Sequence, residues 1–151
     1  MLALDHRGSV RKLLNPEHPA SVSTGEIIKL KSEIIKALKD QFSSLLIDPE
    51  YGLPAYKERT KPFLLSLEKT GYIPSVGSGQ AGERMTELEY TVEQIKNLGA
   101  SGAKLLLYFN PNVPSVKIQL ETARKVLGDC KALNVPLFLE IVTYPIGSVN
   151  L

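Results

Sequence analysis

The chain of 151 residues has one cysteine, Cys130, and two histidines. A single thiol cannot close an internal disulfide, and so few thiol and imidazole groups form no cluster that reads as a structural metal site. No apolar run approaches the ~18 residues that a membrane-spanning helix requires. The N-terminus, MLALDHRGS, has neither the basic region nor the apolar stretch of a secretory leader, so a cytoplasmic location is expected. Charge of one sign is not in excess either. Lys and Arg total 18 against 16 Asp and Glu, net +2, which is no footprint for nucleic acid, although a local positive pocket for an anionic substrate stays open. What remains is 43% hydrophobic and 23% charged residues, the balance of a globular chain long enough to bury a core.

Five short apolar runs read as strands: LALD (2–5), SSLLID (43–48), PFLLSLE (62–68), AKLLLYF (103–109) and VPLFLEIV (135–142). They are nearly continuous rather than alternating, which predicts parallel strands covered on both faces. Helical spacing fills the intervals. In TGEIIKLKSEIIKALKDQF, Ile27, Leu30, Ile34, Ile35 and Leu38 trace one face behind a Thr24 N-cap. In TELEYTVEQIKNLGA, Leu88, Val92, Ile95 and Leu98 face inward and Gly99 ends the helix. SVKIQLETARKVLGDCKALN is opened by Ser115 and interrupted by Gly128.

Strand–helix alternation suits a doubly wound sheet or a (β/α)8 barrel. The strand ends favour the barrel: Asp5, Asp48, Glu68 and Asn110 each close an apolar run and Glu140 interrupts another, and barrel enzymes place their chemistry at the C-terminal ends of several strands. No GxGxxG or P-loop follows the first strand, which argues against a nucleotide-binding unit. Five strands in 151 residues extrapolate to about 240 residues for eight, close to a complete barrel. The expectation is therefore an α/β chain, residues 1–151, covering the first five βα units of a (β/α)8 barrel, a fragment that starts inside the first strand and stops just after the fifth.

Asp5, His6 and Arg7 put a carboxylate, an imidazole and a guanidinium at one strand mouth; the bland alternative is a capping Asp5 and a solvated Arg7. By strand alternation His6 points away from the face of Asp5, which favours a packing role. Lys104 opens KLLLYF, where its ammonium is costly to bury alone. It can snorkel to the rim, pair with an interior carboxylate, or serve as an imine-forming amine. Pairing is preferred, because Glu140 lies inside VPLFLEIV and itself needs a cation or a proton. Neighbouring strands ~4.8 Å apart let the two meet if both face inward. Asp48 and Glu50 in LLIDPEYGLP either bind sugar hydroxyls or shape a turn, with the turn favoured. VGSGQAGE (76–83) resembles a phosphate cradle in composition only. Tyr108 and Tyr144 stack on a sugar or fill the core. Cys130 is given no role.

The segments ALDHRGS, LLIDPEYGLPA, EKTGY, GAKLLLYFNP and PLFLEIVTY, in this order and spacing over nearly the whole chain, resemble the class I tagatose-bisphosphate aldolase family of bacterial (β/α)8 enzymes. The resemblance implies an aldehyde-lyase that cleaves a ketose bisphosphate to dihydroxyacetone phosphate and glyceraldehyde 3-phosphate through a lysine Schiff base, with no metal and no cofactor. It puts the family's first-strand aspartate at Asp5, its fourth-strand lysine at Lys104 and its fifth-strand glutamate at Glu140, as catalytic residues. His6, Arg7 and Asp48 become substrate-binding candidates, although the family more often has glutamine at the His6 position. The imine-forming lysine and most phosphate-binding groups belong to later strands, beyond Leu151. The partner implied is a phosphorylated ketose, with neither nucleic acid nor membrane, and a homo-oligomer is allowed. The competing expectation is a non-catalytic sugar-phosphate-binding or regulatory protein that retains the fold.

Overall fold

The computed structural model describes residues 1–74 and 82–146. The apolar runs, of which the two at the centre, Leu45–Ile47 and Phe63–Ser66, are buried on both faces, pair side by side as strands. These are β1 (Leu2–Leu4), β2 (Leu45–Ile47), β3 (Phe63–Ser66), β6 (Gly102–Phe109) and β7 (Leu137–Thr143), in one five-stranded sheet of that order. Every neighbouring pair is parallel. The spatial order follows the chain order with no reversal, so the sheet lacks the switch point of a doubly wound fold and has the succession of a (β/α) barrel. Between β3 and β6 a two-stranded antiparallel ribbon intervenes, β4 (Ile73–Pro74) with β5 (Arg84–Met85).

The helices are α1 (Gly8–Leu14), α2 (Thr24–Ala37), α3 (Gly52–Ala55), α4 (Val92–Asn97) and α5 (Val116–Leu133). One face of the sheet and helices α2 to α5 share the main core, where Leu45, Ile47, Leu65 and Leu105 meet Ile35, Ile95 and Val126, while Val10 of α1 packs on a smaller cluster of Val22, Ile27 and Tyr51. Because side chains alternate along a strand, the residues between them, Ser66 and Lys104, turn to the opposite, inner face. Ser66 and Lys104 are register partners on β3 and β6. Apolar packing on one side therefore aims the polar residues into the bore on the other.

Several boundaries differ from the sequence expectation. Ser23, not Thr24, caps α2, and with Glu26 it forms a reciprocal capping box. The buried stripe of α2 is Ile27, Lys31 and Ile35, while Leu38 lies outside it as an exposed C-cap. The helix expected from Thr86 starts only at Val92, behind a Thr91 and Gln94 capping box. Thr86 is extended instead: its hydroxyl donates to the Leu106 carbonyl, and Leu88 bridges to Glu68. Gly99 terminates α4 with φ of 89°, as expected. Gly128 does not interrupt α5, which runs unbroken through it; a lone glycine costs a helix ~1 kcal/mol, too little to break 18 residues anchored by buried Val126 and Cys130. Among the described residues, no helix is long and apolar enough to cross a membrane.

Candidate active site

Lys104 stands at the centre of a carboxylate cluster on the inner face of the sheet. Its Nζ lies 2.5 Å from Glu68 Oε1, 2.9 Å from Asp5 Oδ2 and 3.1 Å from Glu140 Oε2. The three acids come from the ends of β3 and β1 and from the middle of β7, as strand-end chemistry in a barrel requires. The reach to Glu140 follows from register: Lys104 is opposite Phe138 and Leu106 is opposite Glu140, so the two side chains share a face two residues apart. Burial alone would pull the Lys104 pKa down, but Glu68 and then Asp5, by charge and hydrogen bonding, outweigh it and hold the ammonium well above its ordinary range. The cluster opens into a cavity of about 600 Å³ lined by Asp5, His6, Arg7, Lys104, Tyr108 and Glu140 among others.

The three acids are not equivalent. Glu68 is buried and saturated, since Oε1 accepts from Lys104 and Oε2 from the Leu106 amide. Asp5 is largely covered, with its side chain 14% exposed, whereas the Glu140 side chain is 53% exposed. All three line the cavity, and Glu140 is the most exposed of them.

The sequence candidates divide as follows. Asp5, Lys104 and Glu140 come together. His6 is not packed away: it is exposed and lines the cavity. Arg7 is not solvated. Its guanidinium is buried, donates to Glu89 Oε2 at 2.6 Å and also binds the Glu68 carbonyl, so it clamps the end of β3 while contributing to the cavity wall. Asp48 is removed from the substrate-facing set. It is wholly buried, ion-paired to Lys31, and its carboxylate caps the Tyr51 amide at 2.6 Å and the Gly52 amide at 3.1 Å. The turn reading of DPEYG is the one the geometry gives, and Glu50 is exposed beside it.

Two groups had no clear sequence signal. Glu68 appeared only as a polar strand end, yet it is the nearest partner of Lys104. Lys31 sits on α2 among apolar neighbours; its ammonium donates to the Leu4 carbonyl at 2.7 Å as well as to Asp48. Burial lowers the Lys31 pKa, with Asp48 opposing. Tyr108, expected either in the core or on a sugar, is half-buried and lines the cavity. It packs edge-on against Tyr72 and Tyr144, with ring centroids 5.5 and 6.4 Å away. Tyr144 is buried, its hydroxyl accepting from the Arg84 amide at 3.0 Å. Residues 76–81 of the glycine-rich segment lie outside the described residues.

Comparison with known proteins agrees with this architecture. Tagatose 1,6-diphosphate aldolase of Staphylococcus aureus (strains JH9 and N315) is 33% identical over 147 residues, 95% of this chain and 44% of the relative. The chain therefore spans less than half the length of the curated relatives it matches. A crystal structure of an archaeal fructose 1,6-bisphosphate aldolase superposes with a TM-score of 0.64 at 19% identity, covering 99% of this chain and 53% of that one. A second structure, of an archaeal fructose-1,6-bisphosphate aldolase with the catalytic lysine covalently bound to the carbinolamine intermediate of the substrate, gives the same TM-score and identity. These likenesses establish the fold. The family model for the DeoC/LacD family aldolases matches residues 1–148, and the chain belongs to that family.

Proposed function

We propose that this chain supplies the Asp5–Lys104–Glu140 part of an active site for reversible cleavage of a ketose bisphosphate, tagatose 1,6-bisphosphate, to dihydroxyacetone phosphate and glyceraldehyde 3-phosphate through a lysine Schiff base. The observation that carries it is one buried ammonium shared by three carboxylates that all line the cavity, Glu140 being the most exposed of them.

In such a reaction an amine attacks the substrate ketone at C2 and water leaves as the iminium forms. The C3–C4 bond then breaks, its electron pair passing into an enamine while the C4 hydroxyl gives up its proton and departs as the aldehyde. Reprotonation at C3 and hydrolysis release the second product. The nucleophilic amine must be neutral when it attacks, and Lys104, held protonated by its carboxylates, cannot fill that role. Lys31 cannot either, being buried and committed to Asp48 and the Leu4 carbonyl. By likeness to the class I aldolases the imine-forming lysine belongs to a later strand, beyond Leu151, and the Lys104 ammonium beside it lowers that amine's pKa. Glu140 accepts the C4 hydroxyl proton and returns a proton to C3. Asp5 and Glu68 hold Lys104 in place. The 151-residue chain alone is then inactive.

In the longer protein, Glu140→Gln is expected to lower kcat by ~10²–10⁴-fold with a much smaller change in KM, because a single acid–base group supplies about that factor. Borohydride reduction in the presence of dihydroxyacetone phosphate should add mass at a lysine other than Lys104. Near-normal turnover of Glu140→Gln, or an adduct on Lys104, overturns the assignment. If the wild-type longer protein binds sugar phosphates yet neither cleaves them nor forms an adduct, it is a binding protein that retains the fold.

A further inference from the structure

Arg84 is the only residue of the β4–β5 ribbon whose guanidinium is offered to aromatic rings. Its Cζ lies 4.9 Å from the centroid of Tyr72 and 5.3 Å from that of Tyr144. The ribbon register sets it opposite Pro74, and Tyr144 locks its backbone by accepting from its amide at 3.0 Å and donating to its carbonyl at 3.2 Å. Ring contacts of this kind hold a guanidinium by its faces and leave its N–H edges unused. Among the described residues no carboxylate pairs with Arg84, whereas Arg7 has Glu89 and Lys104 has three acids. Arg84 is half-buried, so its charge is partly desolvated without a counter-ion, a state that favours an anion.

Its position connects it to the active-site cavity. Gly71 and Tyr108 both line that cavity. Gly71 precedes Tyr72, and the Tyr108 ring packs on both tyrosines that hold Arg84. Tyr108 thus touches the cavity that holds the Lys104 cluster and also the two rings that hold the arginine. An anion bound at Arg84 is then joined, past Tyr108, to chemistry at Glu140 and Lys104.

We propose that Arg84, framed by Tyr72, Tyr108 and Tyr144, is a phosphate subsite at the rim of the cavity that takes one phosphomonoester dianion of the sugar substrate through its guanidinium fork. The identity of that ligand rests on the aldolase reading above; the oxyanion site itself does not. The first test uses the wild-type 151-residue chain, phenylglyoxal, and inorganic phosphate as the probe. Phosphate at tens of millimolar should slow modification of Arg84 several-fold relative to chloride at equal ionic strength, with exposed Arg124 unaffected, as read by peptide mass. Equal rates at Arg84 with and without phosphate overturn the subsite. The second uses the longer protein. Arg84→Met should raise KM for a ketose bisphosphate by about 10–100-fold with kcat nearly unchanged, Arg84→Lys should recover part of that, and cleavage of a ketose carrying a single phosphate at its other end should be unaffected. An equal KM change for both substrates, or none for either, overturns the assignment to this phosphate. Protection of Arg84 by phosphate in a protein that cleaves no ketose phosphate keeps the subsite and overturns the aldolase reading instead.

Discussion

Lys31 and Lys104 are both buried amines facing carboxylates, yet their surroundings push them in opposite directions. Lys31 has one carboxylate partner, Asp48, whose other bonds go to the Tyr51 and Gly52 amides, and desolvation wins, lowering its pKa. Lys104 has Glu68 and Asp5 hydrogen-bonded and Glu140 in contact, and attraction wins over desolvation. A raised lysine pKa contributes stability that is complete below the ordinary value of 10.5 and lost only as pH rises through the higher folded value. For Lys31 the sign is reversed: the folded chain releases its proton first, so the Lys31 contribution to stability grows with pH between its lowered value and 10.5. Side-chain ¹⁵N NMR should therefore show the Lys104 ammonium unchanged to about pH 10 while Lys31 titrates below the ordinary lysine range; an inflection for Lys104 below 10.5 would contradict the cluster. The clustering of Lys104 with Glu140 was legible because a charge inside an apolar strand run is conspicuous. Lys31 was not, since a lysine beside Leu30 on a helix reads as a solvated residue. The burial of Arg7 was not legible because its partner Glu89 lies 82 residues away, a separation that no local pattern reports.

Elements were legible in kind and less so in their limits. Apolar runs predicted all five parallel strands, although only β2 and β3 are buried on both faces throughout, and the runs overran β1 and β2 by including the acids that follow them. Helix starts are decided by which hydroxyl reaches a free amide, and adjacent Ser23 and Thr24 are both competent types. The Ser23 hydroxyl accepts from the Glu26 amide at 3.2 Å and the Glu26 carboxylate accepts from the Ser23 amide at 2.8 Å. Hydrogen bonding to Ser23 holds the Glu26 carboxyl below its usual pKa, so the box weakens as acid protonates it. Ser23→Ala should cost ~1 kcal/mol in denaturant unfolding, and Thr24→Ala, inside the first turn, should change stability by less than about half of that. The reverse order would show that the cap is Thr24 after all. The delayed start of α4 has a different cause. Thr86 and Leu88 spend their hydrogen-bonding and packing capacity on β6 and the end of β3, a tertiary claim that overrides the helical periodicity of TELEYTVEQ.

At the scale of the whole molecule the sheet is open. Among the described residues β1 pairs only with β2 and β7 only with β6, so both outer strands present unpaired backbone groups. β7 is the longer of the two, with seven residues against three, and it carries Phe138, Leu139 and Ile141 at 48%, 45% and 56% exposure. A flat apolar edge of that length is a template for pairing. The other flank is apolar as well: Leu4, Val10, Leu13, Leu30 and Ile34 line a groove of about 450 Å³ between α1 and α2, with Leu13 79% exposed. In a closed barrel both flanks would be covered by neighbouring βα units. The 151-residue chain studied by itself should therefore self-associate at concentrations of about 10 µM and above. Sedimentation velocity over a concentration series reads this directly, and a lysine on the edge should oppose it by placing charge where a strand would dock. Ile141→Lys leaves the β6 pairing and the Lys104 cluster in place, because Ile141 alternates away from Glu140. It should shift the distribution toward monomer without loss of the helical signal. A wild-type chain that stays monomeric at tenfold higher concentration would mean that the β7 edge is not the sticky surface its exposure indicates.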